Sequence, residues 1–214
     1  VISPERAKTE RMTRIQHIAC DSISEANGGV IQLPPGTGKT AIALRMAQIW
    51  AVPAIIVVHT KDLQRQWVKE ARDLLGLPEE RIGVIGGGAK KWDWEGKDLV
   101  VATVQSLISK SNRLPLLAEH FGLAVYDEVH HMQGLKFREA LPISRRYRVG
   151  LSATVEVDGL EQVFLNHIGP IVYRSEETDL TPTVRIVSVH ANLSKDSLRK
   201  IDRPTFMDVD KILD

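Results

Sequence analysis

The stretch Leu33-Pro34-Pro35-Gly36-Thr37-Gly38-Lys39-Thr40 limits what this chain can fold into more than any other part of it. An apolar run, Gly29-Val30-Ile31-Gln32-Leu33, precedes it, and a helical pattern, Ala41-Ile42-Ala43-Leu44-Arg45-Met46-Ala47, follows. Strand, glycine-containing loop, Gly-Lys-Thr and helix is the layout of a phosphate-binding P-loop. In such a loop consecutive backbone N–H groups and the positive end of a helix dipole surround a polyphosphate. Pro35, Gly36, Thr37, Gly38, Lys39 and Thr40 are therefore expected to cradle a nucleoside triphosphate. Lys39 would bring a mobile point charge to the β- and γ-phosphates, and the Thr40 hydroxyl would ligate Mg²⁺. The usual pattern opens on Gly or Ala at the position where this chain has Leu33.

With 214 residues the chain has room for one sizeable α/β domain and further material. Its 43% hydrophobic and 26% charged residues are the balance of a globular protein. No apolar run approaches the ~20 residues of a membrane span, so no membrane partner is expected. Neither a signal-peptide core nor an Arg/Ser-rich transit pattern is visible, which makes a cytoplasmic, intracellular location the expectation. The single Cys20 excludes an intramolecular disulfide and a zinc cluster, and reads as a small residue on the buried face of the first helix. The net charge is only +1, whereas dedicated nucleic-acid-binding domains often carry a strong basic excess. Any nucleic-acid contact must then rest on local placement of charge.

Ser3-Pro4-Glu5 has the form of a helix start, and Met12, Ile15, Ala19, Ile23 and Ala26 recur at helical spacing until Asn27-Gly28-Gly29. Pro53-Ala54-Ile55-Ile56-Val57-Val58-His59 is a continuous apolar run, typical of a strand covered on both faces. The helix beginning near Thr60 buries Leu63, Trp67, Ala71 and Leu74, with Lys61, Arg65, Lys69 and Arg72 on its opposite face, a basic stripe that fits phosphates or, the preferred reading, a solvated helix face. Residues 98–102, 123–126, 147–151 and 183–189 are further strands. Strands alternating with helices through about residue 155 predict right-handed crossovers and a mainly parallel sheet with helices on both faces. Gly86-Gly87-Gly88 is read as a loop, and Trp92 and Trp94 as aromatics that either stack on a ligand or pack beneath their segment.

Asp127-Glu128-Val129-His130-His131 follows an apolar strand directly. An acidic pair at the carboxyl end of a buried strand points into the crevice where an open α/β sheet binds its ligand. Beside a P-loop the pair divides its labour: Asp127 would hold Mg²⁺, and Glu128 would orient and deprotonate the attacking water. A transition-metal site is a rival, but the ligand spacing fits no standard motif. Capping of the following helix is another. Gly150-Leu151-Ser152-Ala153-Thr154 lacks the second glycine of a nucleophile elbow, which argues against seryl catalysis.

Five segments, in order, resemble the first RecA-like domain of superfamily 2 helicases and translocases of the DEAH/DExH type. They are residues 35–40, residues 58–63 with Gln66-Trp67, residues 102–107, residues 127–130 and residues 151–154. The branch with excision-repair helicases and restriction-enzyme motor subunits is the most similar. The resemblance implies ATP and Mg²⁺ as cofactors, with Lys39, Asp127 and Glu128 as catalytic residues. It places Thr60, Lys61, Thr103 and Gln105 near a tracked nucleic-acid strand, DNA rather than RNA, held through its sugar-phosphate backbone. His130, Ser152 and Thr154 would couple nucleotide state to that grip. Gln16 would be the adenine-recognition glutamine, although the arginine and aromatic that usually accompany it are not evident, and Val155 stands where the family has Pro.

The expected organisation is a RecA-like ATP-binding domain over residues 1–170 and, over 171–214, a linker toward a second RecA-like domain that lies outside this sequence. The expected function is the ATPase half of a DNA helicase, needing that second domain for full hydrolysis and unwinding. A duplex translocase or restriction-type motor is the first alternative. A non-hydrolysing nucleic-acid-binding scaffold is the second.

Overall fold

The computed structural model describes residues 12–88, 92–133, 140, 144, 146–154 and 161–176. The chain divides into two compact units, Val1–Leu180 and Thr181–Asp214, and all the described residues belong to the first. The expected strand over 183–189 therefore lies outside the described residues, as do Ser3 and Pro4.

The first helix, α1 (Arg14–Ala26), is capped by Thr13, whose hydroxyl accepts from the Gln16 N–H while the Gln16 side chain accepts from the Thr13 N–H. This capping box fixes the helix start at Arg14, so Met12 precedes the helix instead of belonging to its periodic stripe. Asn27, with φ 57°, ends it in the left-handed conformation. There follow β1 (Gly29–Gln32), α2 (Lys39–Trp50), β2 (Ala54–Val58) and α3 (Lys61–Leu75). After them come β3 (Ile82–Ile85), β4 (Leu99–Thr103), α4 (Val104–Ile108), α5 (Leu114–His120) and β5 (Leu123–Asp127). A 3₁₀ turn over Val129–Gln133 leads on to β6 (Tyr147–Ser152), α6 (Glu161–Ile168) and β7 (Ile171–Arg174).

Among the described residues the strands form one seven-stranded sheet in the order β3-β4-β2-β5-β6-β1-β7. Every neighbouring pair is parallel. The expected α/β architecture is the one observed. Alternation along β2 explains it: Ile56 and Val58 join a core with Ile15, Ala19 and Ile23 of α1, Ile42 and Met46 of α2, and Trp67 and Ala71 of α3. Ile55 and Val57 face the other way, into a core with Val104 and Leu107 of α4, Leu114 and Leu117 of α5, and Ile168 of α6. Both faces of β2 are thus covered, which is why its sequence is an unbroken apolar run. The residue-170 boundary read from the sequence falls immediately before β7, which pairs with β1 at the sheet's edge.

On α3 the four basic residues Lys61, Arg65, Lys69 and Arg72 are exposed. Arg65 pairs with Asp62 at 3.0 Å and Arg72 lies 3.6 Å from Glu79, as a solvated helix face would arrange them. Cys20 is buried, and that burial pushes its thiol up to about 12, leaving it inert as a nucleophile.

Ile55 and Ile56 are fully buried on opposite faces of β2. Ile55→Ala and Ile56→Ala should each lower the unfolding free energy by ~2–5 kcal/mol. Urea titration checks this as a lower midpoint at unchanged slope.

Candidate functional site

Parallel pairing sends the carboxyl ends of all seven strands to one edge of the sheet, and the expected site residues follow those ends. The loop of residues 33–38 leaves β1, Thr60 follows β2, Thr103 ends β4, Asp127 ends β5 and Ser152 ends β6. Strands β5, β6 and β1 are adjacent, in registers Asp127↔Leu151 and Gln32↔Ser152. Beyond the ladder, the Leu33 N–H still donates to the Ser152 carbonyl at 3.0 Å. The loop, the acidic pair and the Ser-Ala-Thr segment are therefore neighbours because their strands are.

Leu33 is fully buried, so the position where the usual pattern has a small residue serves here as a core anchor for the loop. The Thr37 hydroxyl donates to the Pro34 carbonyl at 2.8 Å, and Gln16 Nε2 donates to the Thr37 carbonyl at 2.8 Å. Gly38 has φ 78°, and a Cβ built on it would lie 2.2 Å from Gln16 Nε2. Both the backbone conformation and the pressure of Gln16 require glycine there. Helix α2 begins at the next residue, and its first bond within the helix runs from the Ile42 N–H to the Gly38 carbonyl. The N–H groups of Lys39, Thr40 and Ala41 consequently have no acceptor within the helix and form a positive end suited to an anion. Lys39 Nζ rests on the carbonyls of Leu33 and Pro34 at 3.0 and 3.4 Å.

Asp127 is only 8% exposed, and Trp67 Nε1 donates to its Oδ2 at 2.7 Å. Burial raises the Asp127 carboxyl above the usual carboxylate range; the Trp67 bond opposes that shift and the charge of Glu128 adds to it. Glu128 sits at φ 49°, a left-handed conformation uncommon outside glycine. His59 Nε2 lies 3.1 and 3.2 Å from the carbonyls of Asp127 and Glu128, and as a donor it satisfies both in that bent backbone. Glu128 Oε2 is buried and without a hydrogen bond, 3.4 Å from His130 Nδ1.

His130 Nδ1 also lies 2.8 Å from Ser152 Oγ. The Ser152 hydroxyl donates to the Thr154 carbonyl and accepts from the Thr154 N–H at 3.2 Å. With the hydroxyl hydrogen so placed, the hydrogen between serine and histidine belongs to His130 Nδ1. Burial, helped by neighbouring His131, lowers the His130 pKa and favours the neutral ring. Serine, histidine and glutamate do meet here, but Ser152 is fully buried and hydrogen-bonded on both sides, so it has no path to a substrate. Among the described residues no group of three His, Cys, Asp or Glu side chains is arranged to hold a metal ion by itself.

The four residues expected near a nucleic-acid strand are spread along the same edge. Thr60 and Lys61 are exposed at the start of α3, where the Thr60 hydroxyl caps the Leu63 N–H at 3.2 Å. Gln105 is exposed on α4. Thr103 is buried, its hydroxyl 2.8 Å from that of Ser106. Two residues of the acidic centre were missed by sequence reasoning, Trp67 as a partner of Asp127 and His59 as the clamp on the turn. His59 lies two residues beyond Val57, which stands opposite Tyr126, so its place beside the acidic turn follows from a strand register that only the structure shows.

Fold and site together define a P-loop domain of the RecA-like helicase class. Residues 6–157 match the family described as "Type III restriction enzyme, res subunit", and the chain belongs to that family. It is 33% identical over 181 residues to the "DNA 3'-5' translocase XPB2" of Sulfurisphaera tokodaii, an alignment covering 81% of this chain and 39% of that protein. It is 35% identical over 172 residues to the "DNA 3'-5' helicase XPB" of Kineococcus radiotolerans, covering 77% of this chain and 30% of the relative. The chain thus spans about a third of the length of these curated relatives. Among solved structures, the Pyrococcus furiosus Hef helicase domain is similar with a TM-score of 0.63 and 25% identity, over 78% of this chain and 38% of that one. No helix among the described residues is long and apolar enough to cross a membrane.

The raised Asp127 pKa carries a sign for stability. The folded chain holds that proton more tightly than the unfolded chain does, so ionised Asp127 destabilises the fold at neutral pH, and the penalty fades as pH falls through the raised value. Asp127→Asn keeps an acceptor for Trp67 but cannot ionise. In metal-free buffer it should melt higher than the parent at neutral pH, each kcal/mol gained appearing as ~2–4 °C in a domain of this size. The gap should close near pH 4. Thermal unfolding at the two pH values measures both effects.

Proposed function

We propose that this chain is the ATP-binding half of a nucleic-acid motor that hydrolyses ATP and holds DNA through its backbone. The observation that carries the reading is Glu128 Oε2, a buried carboxylate oxygen without a hydrogen bond, on the strand end next but one to the phosphate loop. An orphaned buried acceptor costs stability unless a ligand or water completes it.

In this reading α2's free N–H groups and Lys39 bind the phosphates, Lys39 exchanging its two loop carbonyls for phosphate oxygens. The Gln16 amide already makes one bond at each end and retains one donor and one acceptor, so it can read an adenine edge without releasing Thr37. Thr40 and Asp127 supply the hard oxygen donors that suit Mg²⁺. Bound there, the cation would neutralise charge on the β- and γ-phosphate oxygens. Glu128 Oε2 accepts a proton from the attacking water as the water oxygen bonds to the γ-phosphorus. The bond from that phosphorus to the β-phosphate oxygen breaks, giving ADP and inorganic phosphate. His130, Ser152 and Thr154 form one hydrogen-bonded chain at the end of β6 that begins 3.4 Å from Glu128 Oε2, and in this reading they relay the change toward the strand-binding edge.

Thr60, Lys61, Thr103 and Gln105 would meet the sugar-phosphate backbone, which gives affinity without sequence readout. We further infer that the residues beyond the sheet lead to a second RecA-like domain bearing arginine fingers, each worth ~10³–10⁵ in rate. An intracellular, DNA-associated location fits this function. Movement on duplex without strand separation is the second reading, favoured by the relative named as a translocase.

Calorimetry with ADP and Mg²⁺ tests the site directly. Lys39→Ala should weaken binding, whereas Glu128→Gln should bind as the parent does and, in a complete motor that includes the second domain, slow hydrolysis by ~10²–10⁴-fold. Equal loss of binding in both variants, or no nucleotide binding by the parent, contradicts the roles assigned.

A further inference from the structure

The segment carrying Trp92 and Trp94 turns back along the edge strand β3. The Asp93 N–H donates to the Val84 carbonyl at 3.1 Å, and a Cβ on Gly83 would lie 2.0 Å from the Asp93 carbonyl oxygen. Glycine at 83 is what lets this segment lie so close. Trp94 packs edge-on against His120, with centroids 5.2 Å apart, beside Phe121. Its position is explained by packing. Trp92 is half-buried on the core beneath α4 and α5, and two cations lie over its ring: Lys110 Nζ at 5.9 Å and Arg113 Cζ at 5.5 Å from the centroid.

Lys110 and Arg113 are both exposed, and neither has an ion-pair partner among the described residues. The acid nearest in sequence to Trp92, Asp93, is paired with Lys97 at 3.2 Å. Arg65 and Arg72 on α3, by contrast, have carboxylates beside them. An indole face attracts cations without neutralising them, so the ring gathers two positive charges and leaves both free to meet an anion. Their place in the fold supplies the occupant. Lys110 lies just past the end of α4, the helix that follows Thr103 and exposes Gln105. Seven residues at helical rise span roughly 10 Å, which is about three nucleotides along one strand of DNA.

We propose that Trp92, Lys110 and Arg113 form a second anchor for the nucleic-acid strand, in which the two cations contact phosphates beyond those reached by Thr103 and Gln105. The inference rests on the nucleic-acid-binding reading above and extends its footprint. Trp92 is a positioning residue that holds the cations together, and the phosphate contacts belong to Lys110 and Arg113.

The test is fluorescence anisotropy of labelled single-stranded and duplex oligonucleotides titrated with this chain over a series of salt concentrations. The double variant Lys110→Ala/Arg113→Ala changes only exposed side chains, and its ADP affinity and melting temperature serve as controls for folding. Two lost phosphate contacts should weaken binding at least tenfold at low salt. They should also flatten the plot of log affinity against log salt by ~1.4 for a single strand or ~1.8 for duplex. A parent chain that binds DNA and a double variant that binds it equally, with the same slope, overturns this anchor and leaves the broader function standing. Weaker binding at an unchanged slope also overturns it, because the lost contacts were then not to phosphate. A parent chain that binds neither oligonucleotide overturns both readings.

Discussion

A parallel sheet has no freedom about where its strand ends go: each crossover returns the chain to the same starting edge, so every carboxyl end emerges opposite. Here that constraint acts on β5, β6 and β1, two consecutive strands and a third from the opposite end of the sequence. Register does the rest. Leu33 still bonds to Ser152 one residue past the ladder, and Asp127 stands opposite Leu151, so the phosphate loop and the acidic pair share one platform. Apolar burial on both faces holds the platform, because neither face of β2, β4 or β5 can slip by one residue without moving core side chains toward the wrong layer.

The chemistry at the edge works against the sheet that supports it. Asp127 is a charge in an apolar setting and Glu128 a bent backbone with an orphaned oxygen. Trp67 and His59 limit the damage. The indole gives Asp127 one strong partner, and the imidazole meets the two carbonyls of the turn. Local destabilisation held in place by the surrounding structure is what a binding site costs, and it marks the residues a ligand would relieve.

The parts legible in the sequence were those with a local signature. Gly-Lys-Thr between a strand and a helix, the run ending in Asp127-Glu128, and Thr60 as a helix cap each depend on a few contiguous residues. What escaped depends on tertiary contact. β3, four residues with a glycine among them, gives almost no pattern and is a strand because β4 and the Asp93 backbone lie alongside it. β7 reads as the start of a linker until it is seen beside β1. The start of α1 is an exception, a local signature that the sequence reading passed over: Thr13 and Gln16, three residues apart, close a capping box that starts the helix at Arg14. The residues expected near a nucleic-acid strand share no local signature. Nothing in their local sequence distinguishes Thr60, occupied as a cap, from Gln105, which is exposed.

The bond between Trp67 and Asp127 has an optical consequence. An indole whose N–H rests on a buried carboxylate feels any change of charge there as a change of electric field along its ring. Protonation of Asp127, or a cation arriving beside it, should therefore be visible in the near-ultraviolet spectrum of the chain. The protein carries its own dye at the point where its chemistry is expected to begin.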